Sequence, residues 1–459
     1  MIGAYYDIEN YKNLFMITFL DMATNQEIID EYIEADIKKD KAGKQLALSK
    51  MNIRTFIISD WDNDFIALIN FVKDIKLLIG FNSINYDNLI LDYCIIFKDN
   101  YSRFESWQIN AELYGLSQNI IGSNVNYRYF DNDLKGFKSP YTSIDLFTLV
   151  FETTQRKSLK QTAINLKWYR IQDLPFKYYV DINNDEVEQV KDYNINDVLI
   201  TRALHINKKE EVSLRMAISE KYGVNVLSNN RSTIADKILT KFYSDYTGLK
   251  PYQFRDKRTN RSQVKVIDIL NPKIKFKTKR MQDCLDFLKG YVIKIDIDGN
   301  ETKDKDKSLY KVFYDNIVYK VAKGGLHSID RPRMWNIIDE PDMLMTDCDV
   351  TSYYPNGVIY EKVCPAHLAY VAFNAIAVYV VSERTTAKRE GRVIEADTLK
   401  IVANSGLFGE TNCQNKNRLI AGISLEYNVL TISSNRYRVM TNYHKSNKHY
   451  NWTIRSQAS

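Results

Sequence analysis

A chain of 459 residues is too long for one simple core, and 63 Lys and Arg against 57 Asp and Glu make it only mildly basic, at a formal +6. That charge suits a nucleic-acid enzyme but fits many ordinary proteins as well. Scarce glycine (17) and proline (8) beside 32 tyrosines exclude a low-complexity or collagen-like chain. Five cysteines, Cys94, Cys284, Cys348, Cys364 and Cys413, stand far apart without a C-x-x-C pair, which points to reduced thiols in a cytoplasm and away from a zinc module. No basic-then-apolar leader opens the chain. Its longest uncharged apolar run, Ala369 to Val381, would span only about 20 Å as a helix against roughly 30 Å of bilayer core, so a buried helix is expected there and no membrane partner.

In chain order, Gly3 to Glu9 alternates as a strand and puts Asp7 and Glu9 on one face. Lys38 to Lys44 reads as a charged, solvated loop. Ile75 to Phe81 is an apolar run of strand length; the polar stretch from Asn82 to Asp87 follows, then a helical pattern through Leu89, Leu91 and Cys94. Asp87 therefore sits where a strand hands over to a helix. Lys191 to Ile200 reads as a helix, with Tyr193 and Asp197 four apart and on one face. Four carboxylates and a tyrosine form a constellation suited to two-metal phosphodiester hydrolysis: several carboxylates hold two divalent ions roughly 4 Å apart, and a hydrogen-bonding group orients the attacking water.

The order and contexts of these pieces, D-x-E at Asp7 and Glu9, N-x-x-x-Y-D from Asn82 to Asp87, and Y-x-x-x-D at Tyr193 and Asp197, resemble the three motifs of the proofreading DEDD 3′–5′ exonucleases. The match covers residues 1 to about 205 and implies an α/β, RNase H-like domain, a mixed sheet flanked by helices. By this resemblance Asp7, Glu9, Asp87 and Asp197 bind Mg2+ or Mn2+, Tyr193 orients the water, and Asn82 contacts the primer end. Lys160, in the Ser158-Leu159-Lys160 stretch, fits a lysine near the scissile phosphate or a solvated helix lysine, whereas Asp145 reads as a structural cap or a group behind the ligands.

Beyond residue 225, Ser228 to Tyr246 carries a helical pattern through Ile234, Ile238, Leu239 and Phe242. Lys273 to Arg280 alternates as a strand with a face of lysines, either a phosphate-tracking surface or a guarded edge. Ile295 to Lys307 reads as a hairpin or exposed loop. Gly324 and Gly325 follow a strand-like run and allow a tight turn or close backbone approach. They resemble part of the Y-x-G-G element that touches single-stranded template in family B DNA polymerases, with Ala322 in place of the tyrosine.

Met343 to Val350 reads as a buried strand with Asp347 and Asp349 on one face, a hard-metal site or a solvated strand end. The string Asp349, Ser352, Tyr354, Pro355 resembles D-x-x-S-x-Y-P, the first palm motif of family B DNA polymerases. It implies that Asp349 binds the catalytic metals and that Tyr354 stacks under the incoming sugar. Ala369 to Arg389 and Ile394 to Phe408 read as two helices broken at Glu390 and Gly391. A hairpin presenting Arg384, Lys388 and Lys400 would suit a triphosphate. Lys400, Asn404, Ser405 and Gly409 resemble the second polymerase motif, K-x-x-x-N-S-x-Y-G, with one extra residue between Ser405 and Phe408. The short step from Asp349 to Lys400 leaves no room for the insertion of protein-primed phage polymerases, so protein priming is not supported.

Nothing after Gly409 resembles the third motif, Y-x-D-T-D, or a thumb, which suggests a truncated, split or frameshifted gene. A split gene would make a complementary polymerase fragment a partner. The expected organisation is an exonuclease domain over 1–225, a connecting, DNA-binding region over 226–340, an α+β partial palm with helical-hairpin fingers over 341–409, and a basic tail over 410–459. The expected function is a phage-type family B DNA polymerase with 3′–5′ exonuclease in a host cytoplasm, acting on primer-template and single-stranded DNA with deoxynucleoside triphosphates. Its rivals are a standalone exonuclease with a polymerase remnant and a catalytically idle DNA-binding fragment.

Overall fold

The computed structural model describes residues 3–123, 127–150, 158–254, 263–268, 270–294, 310–314, 317–322, 325–328, 352–365, 368–410, 432–433, 436–439 and 452–455. The chain divides into two compact units, Met1–Met216 with Leu227–Asn230, and Ala217–Val226 with Arg231–Ser459.

The first unit is mixed α/β. Its strands are β1 (Gly3–Asn10), β2 (Leu14–Asp21), β3 (Ile53–Ser59), β4 (Leu77–Gly80) and β5 (Thr142–Asp145), ordered β3-β2-β1-β4-β5. The pairs β1–β2 and β2–β3 are antiparallel, whereas β4 runs parallel to both β1 and β5. Its main helices are α1 (Gln26–Ile37), α2 (Lys41–Lys50), α3 (Phe65–Val72), α4 (Asp87–Ile96), α5 (Ser106–Gly122), α6 (Leu159–Asn165) and α7 (Val187–Asn207).

Alternation along β1 sorts its side chains to two cores. Ala4, Tyr6 and Ile8 pack with residues of α3, α4 and α5, including Leu68, Leu89, Ile90 and Ile109. Tyr5 packs on the other side with Ile29 and Tyr32 of α1 and Ile195, Val198 and Leu199 of α7. The period of two therefore commits Asp7 and Glu9 to the α7 side of the sheet. Helix α7 is fixed there by Val190, Ile195, Val198 and Leu199, all buried, and each fully buried aliphatic side chain contributes about 1.5–3 kcal/mol.

Lys38 to Lys44 is only in part the solvated loop expected from its charge: Lys38 to Ala42 are exposed, but helix α2 begins at Lys41. Lys38 ends α1, and the Asp40 side chain accepts from the Gly43 amide at 3.0 Å, capping α2. An aspartate one residue before a helix supplies the acceptor its first turn lacks. Lys44 is then half-buried, 2.6 Å from both Asp36 and Asp192.

The second unit has α8 (Arg231–Thr247), a two-stranded antiparallel pair of β6 (Gln263–Lys265) and β7 (Val292–Lys294), and α9 (Lys279–Gly290). An antiparallel meander follows: β8 (Tyr310–Tyr314), β9 (Ile317–Ala322) and β10 (Gly325–Ser328). Then come α10 (Tyr353–Tyr360), α11 (Tyr370–Arg389), α12 (Val393–Ile401) and a π-helix at Val402–Glu410. Three short antiparallel strands, Ile432–Ser433, Arg436–Val439 and Trp452–Arg455, lie in the tail.

Three expectations are corrected here. Lys273 to Lys277 forms no strand: the Lys273 amide bonds the Asn271 side chain at 2.9 Å and the Phe276 amide bonds Gln282 Oε1 at 3.1 Å, so these backbone donors go to side chains instead of a ladder. Helix α11 is buried on one face only, through Ala372, Phe373, Ile376, Ala377 and Val380, with Val371, Val378 and Tyr379 exposed. The second fingers helix does not run uniformly to Phe408; it widens into a π-helix at Val402. Gly406 lies on that turn against Leu239 and Ala235 of α8, where a Cβ would collide with the Leu239 side chain. Ile295 to Lys307 and Met343 to Val350 lie outside the described residues. Among the described residues no helix is long and apolar enough to cross a membrane.

Candidate metal centre

The first unit brings together carboxylates that are remote in the chain. Asp7 and Glu9 come from β1 and Asp197 from α7, and one oxygen of each lies within 4.8 Å of the other two. Asp87 opens α4 and is buried at 5% exposure. Its carboxylate takes hydrogen bonds from its own amide and from that of Ile8, which lies between Asp7 and Glu9. Its charge acts on both of them. Tyr193, one turn before Asp197, donates its hydroxyl to the Asp197 carboxylate.

Burial raises all four acids, and repulsion from the others adds to it at Asp7 and Glu9. Asp7 and Glu9 rise well above the usual carboxylate range, first by burial and then by the charges around them. Burial lifts Asp87 to about 8 against the two amide bonds it accepts, with the Asp145 charge adding to the rise. Asp197 rises to about 7 by burial, opposed by the Tyr193 hydroxyl and the Arg170 charge. Three crowded acids, Asp7, Glu9 and Asp197, favour a cation among them, and Asp87 stands outside that group with its carboxylate turned to backbone amides. An all-carboxylate donor set matches hard ions such as Mg2+ and Mn2+.

Two groups that support this site carry no signal in the motifs. Asn194, fully buried on α7, donates from Nδ2 to Asp7 Oδ2 at 2.8 Å and so sets the orientation of that carboxylate. Arg170 bonds Asp192 at 2.8 Å and Asp36 at 3.0 Å. It ties the segment after α6 to α1 and to the residue preceding Tyr193. In sequence, Asn194 is one polar residue among several in a mixed helix, and Arg170 sits in a loop; neither spacing marks a partner.

Lys160 pairs with Asp173 and borders a cavity of about 120 Å3 that Ser158, Ile171, Gln172, Tyr193 and Asp197 also line. Its side chain is exposed, and of the four acids Asp197 lines that cavity with it. Asn82 has a left-handed backbone (φ 58°, ψ 19°) on the turn before α4, and its Oδ1 accepts from Asn85 Nδ2 at 3.2 Å. Asp145 is a cap: its carboxylate accepts the amides of Asn82, Ile84 and Phe147 at 2.8, 3.2 and 2.9 Å.

In the second unit, Arg384, Lys388 and Lys400 line one cavity of about 210 Å3 between α11 and α12, with Asp397 on its wall. Arg384 also donates to Ser352 Oγ at 3.0 Å, which connects α11 to the start of α10. Tyr354 lies on α10, 41% exposed, its ring edge-on to Tyr353. Asn404 is exposed on the π-helix. The extra residue between Ser405 and Phe408 falls within that helix, whose i→i+5 bonding admits one more residue per closed ring than an α-helix. Gly325 pairs with Ala322 across β9 and β10. Gly324, Asp347 and Asp349 lie outside the described residues.

No family model matches the chain, and neither the curated proteins nor the solved structures contain a match.

Proposed function

We propose that the first unit is a DEDD-type 3′–5′ exonuclease with an RNase H-like fold, and that the whole chain derives from a phage-type family B DNA polymerase. The observation that carries this reading is the meeting of Asp7, Glu9 and Asp197, from the first strand and a late helix, with Tyr193 hydrogen-bonded to Asp197. Asp7, Glu9, Asp87 and Asp197 would hold Mg2+ or Mn2+. Bound there, divalent ions acidify water and stabilise the leaving oxygen of a phosphodiester.

The chain's own groups supply the rest. Water attacks the terminal phosphorus, the P–O3′ bond breaks, a 5′-nucleotide leaves, and a new 3′-hydroxyl remains on the strand. The Tyr193 hydroxyl gives its proton to the Asp197 hydrogen bond, so its oxygen lone pairs accept from the attacking water and orient it. Asn194 holds Asp7 in one orientation. Lys160 places an ammonium at the border of the site, where the phosphate chain would pass. Polymerisation is supported more thinly, by the Arg384, Lys388 and Lys400 cavity, which presents three cations to a deoxynucleoside triphosphate.

A labelled primer-template incubated with Mg2+ or Mn2+ tests this. Shortening without nucleotides, abolished by Asp7→Ala with Glu9→Ala, is the expected result; extension with nucleotides would add the polymerase activity. Binding with neither reaction would overturn the exonuclease and leave an idle DNA-binding fragment.

A further inference from the structure

We infer that Asp145 is a positioning residue of the metal centre: its carboxylate holds the turn from Asn82 to Tyr86 in the one shape that delivers Asp87 to the other acids. This rests on the exonuclease reading of the first unit and concerns a residue behind the ligands.

Parallel pairing places Asp145 beside Gly80, at the point where β4 ends and the chain must leave the sheet. Three donors then converge on one carboxylate: the Asn82 and Phe147 amides on Oδ1 and the Ile84 amide on Oδ2. Asn82 is left-handed, a shape uncommon for a residue with a Cβ, which asparagine adopts more readily than most and glycine freely. Ser83–Asn85 forms a single 3-10 turn, and α4 starts at Asp87 with no side-chain cap of its own. The approach of α4, and with it the Asp87 carboxylate, is therefore set by this turn.

The turn is gripped from its other side as well. A Cβ on Gly80 would meet Ser83 Cβ at 2.6 Å and the Tyr6 ring at 3.0 Å. Asp145 itself is firmly mounted. Its amide donates to Ser228 Oγ at 2.9 Å, Ser228 Oγ donates to the Ser143 carbonyl at 3.1 Å, and Thr148 Oγ1 lies 3.0 Å from the Asp145 carbonyl. Every backbone partner of the carboxylate, the Ser83 amide included, is an N–H donor, so only an acceptor on both oxygens satisfies them. Asparagine has the same shape but turns a donor toward an amide.

Three readouts on the full chain test the inference: Mn2+ affinity by electron paramagnetic resonance titration, amide hydrogen exchange of residues 82–86, and kcat and KM on a single-stranded 3′ end. Asp145→Asn is expected to weaken Mn2+ binding by about tenfold or more, to speed exchange at Asn82 and Ile84, and to lower kcat with little change in KM. Adding Asn82→Gly should recover much of the Mn2+ affinity, because glycine takes the left-handed shape unaided. Should Asp145→Asn fail to fold, Gly80→Ala disturbs the same turn from the opposite side and should weaken Mn2+ binding in the same way. A folded Asp145→Asn or Gly80→Ala that binds Mn2+ as the wild type does overturns the inference alone. A wild type that neither binds Mn2+ nor shortens DNA overturns the exonuclease reading and this inference with it.

Discussion

Chelating divalent metal should make the first unit less stable as pH rises, by an amount the carboxylate cluster sets. Asp197 stands at about 7 and Asp87 at about 8, against 3.8 for an ordinary aspartate. An acid whose folded pKa is raised binds more protons folded than unfolded, so stability falls with pH across the interval between the two values. For Asp197 and Asp87 the loss is absent below about pH 4 and complete above about pH 8. For Asp197 the rise from 3.8 to about 7 corresponds to about 4 kcal/mol at 1.36 kcal/mol per unit. At about 2–4 °C per kcal/mol for a unit of this size, the melting point should drop by about 8–16 °C from this group. Asp7 and Glu9 are displaced in the same direction. Thermal melts in EDTA across this pH range, repeated with excess Mn2+, measure the effect: the EDTA curve should fall and the Mn2+ curve should stay nearly level. Asp197→Asn should melt above the wild type in EDTA at about pH 8, since it removes the costly charge, and should respond weakly to Mn2+. A wild-type melting point in EDTA that holds level or rises from about pH 5 to pH 8 would refute the reasoning.

Other outcomes follow from single contacts. Tyr193→Phe keeps the ring but loses the hydroxyl bonded to Asp197, and kcat for exonuclease should fall by about 10- to 100-fold with Mn2+ affinity close to wild type; stopped-flow cleavage and Mn2+ titration separate the two. Asp92, fully buried on α4, accepts from Arg128, from Ser139 at 2.8 Å and from Tyr141 at 2.9 Å. Asp92→Ala strands those donors and should cost about 3 kcal/mol or more, read by denaturant unfolding of the first unit. Arg384→Ala with Lys388→Ala removes two of the three cations of the second unit's cavity, and deoxynucleoside triphosphate affinity measured by calorimetry should fall by about tenfold or more while exonuclease activity persists.

How far the site can be read in the chain differs from residue to residue. Asp7 and Glu9 sit on the predicted strand and face α7, because alternation is a local property that any strand obeys. Tyr193 and Asp197 share a helix face for the equally local reason of a 3.6-residue turn. Lys44 shows the limit of such reasoning: a lysine amid a charged run reads as solvated, yet it bridges Asp36 and Asp192 because a capped helix turns it inward. The alternating string at Lys273 shows another. Alternation makes a strand only when a neighbouring strand takes its amides, and there side chains take them.

From its sequence alone the chain determines the local frame: which residues alternate, which share a helix face, and that its longest uncharged apolar run is too short to cross a bilayer as a helix. Only the tertiary structure decides that Asn194 reaches Asp7, that Arg170 tempers Asp197, that Asp145 gathers three amides around the turn to Asp87, and that burial raises the four acids. Backbone period acts over a few residues and is written in their order. Hydrogen bonds and electrostatic repulsion act through space, between segments that meet only when sheet and helices pack.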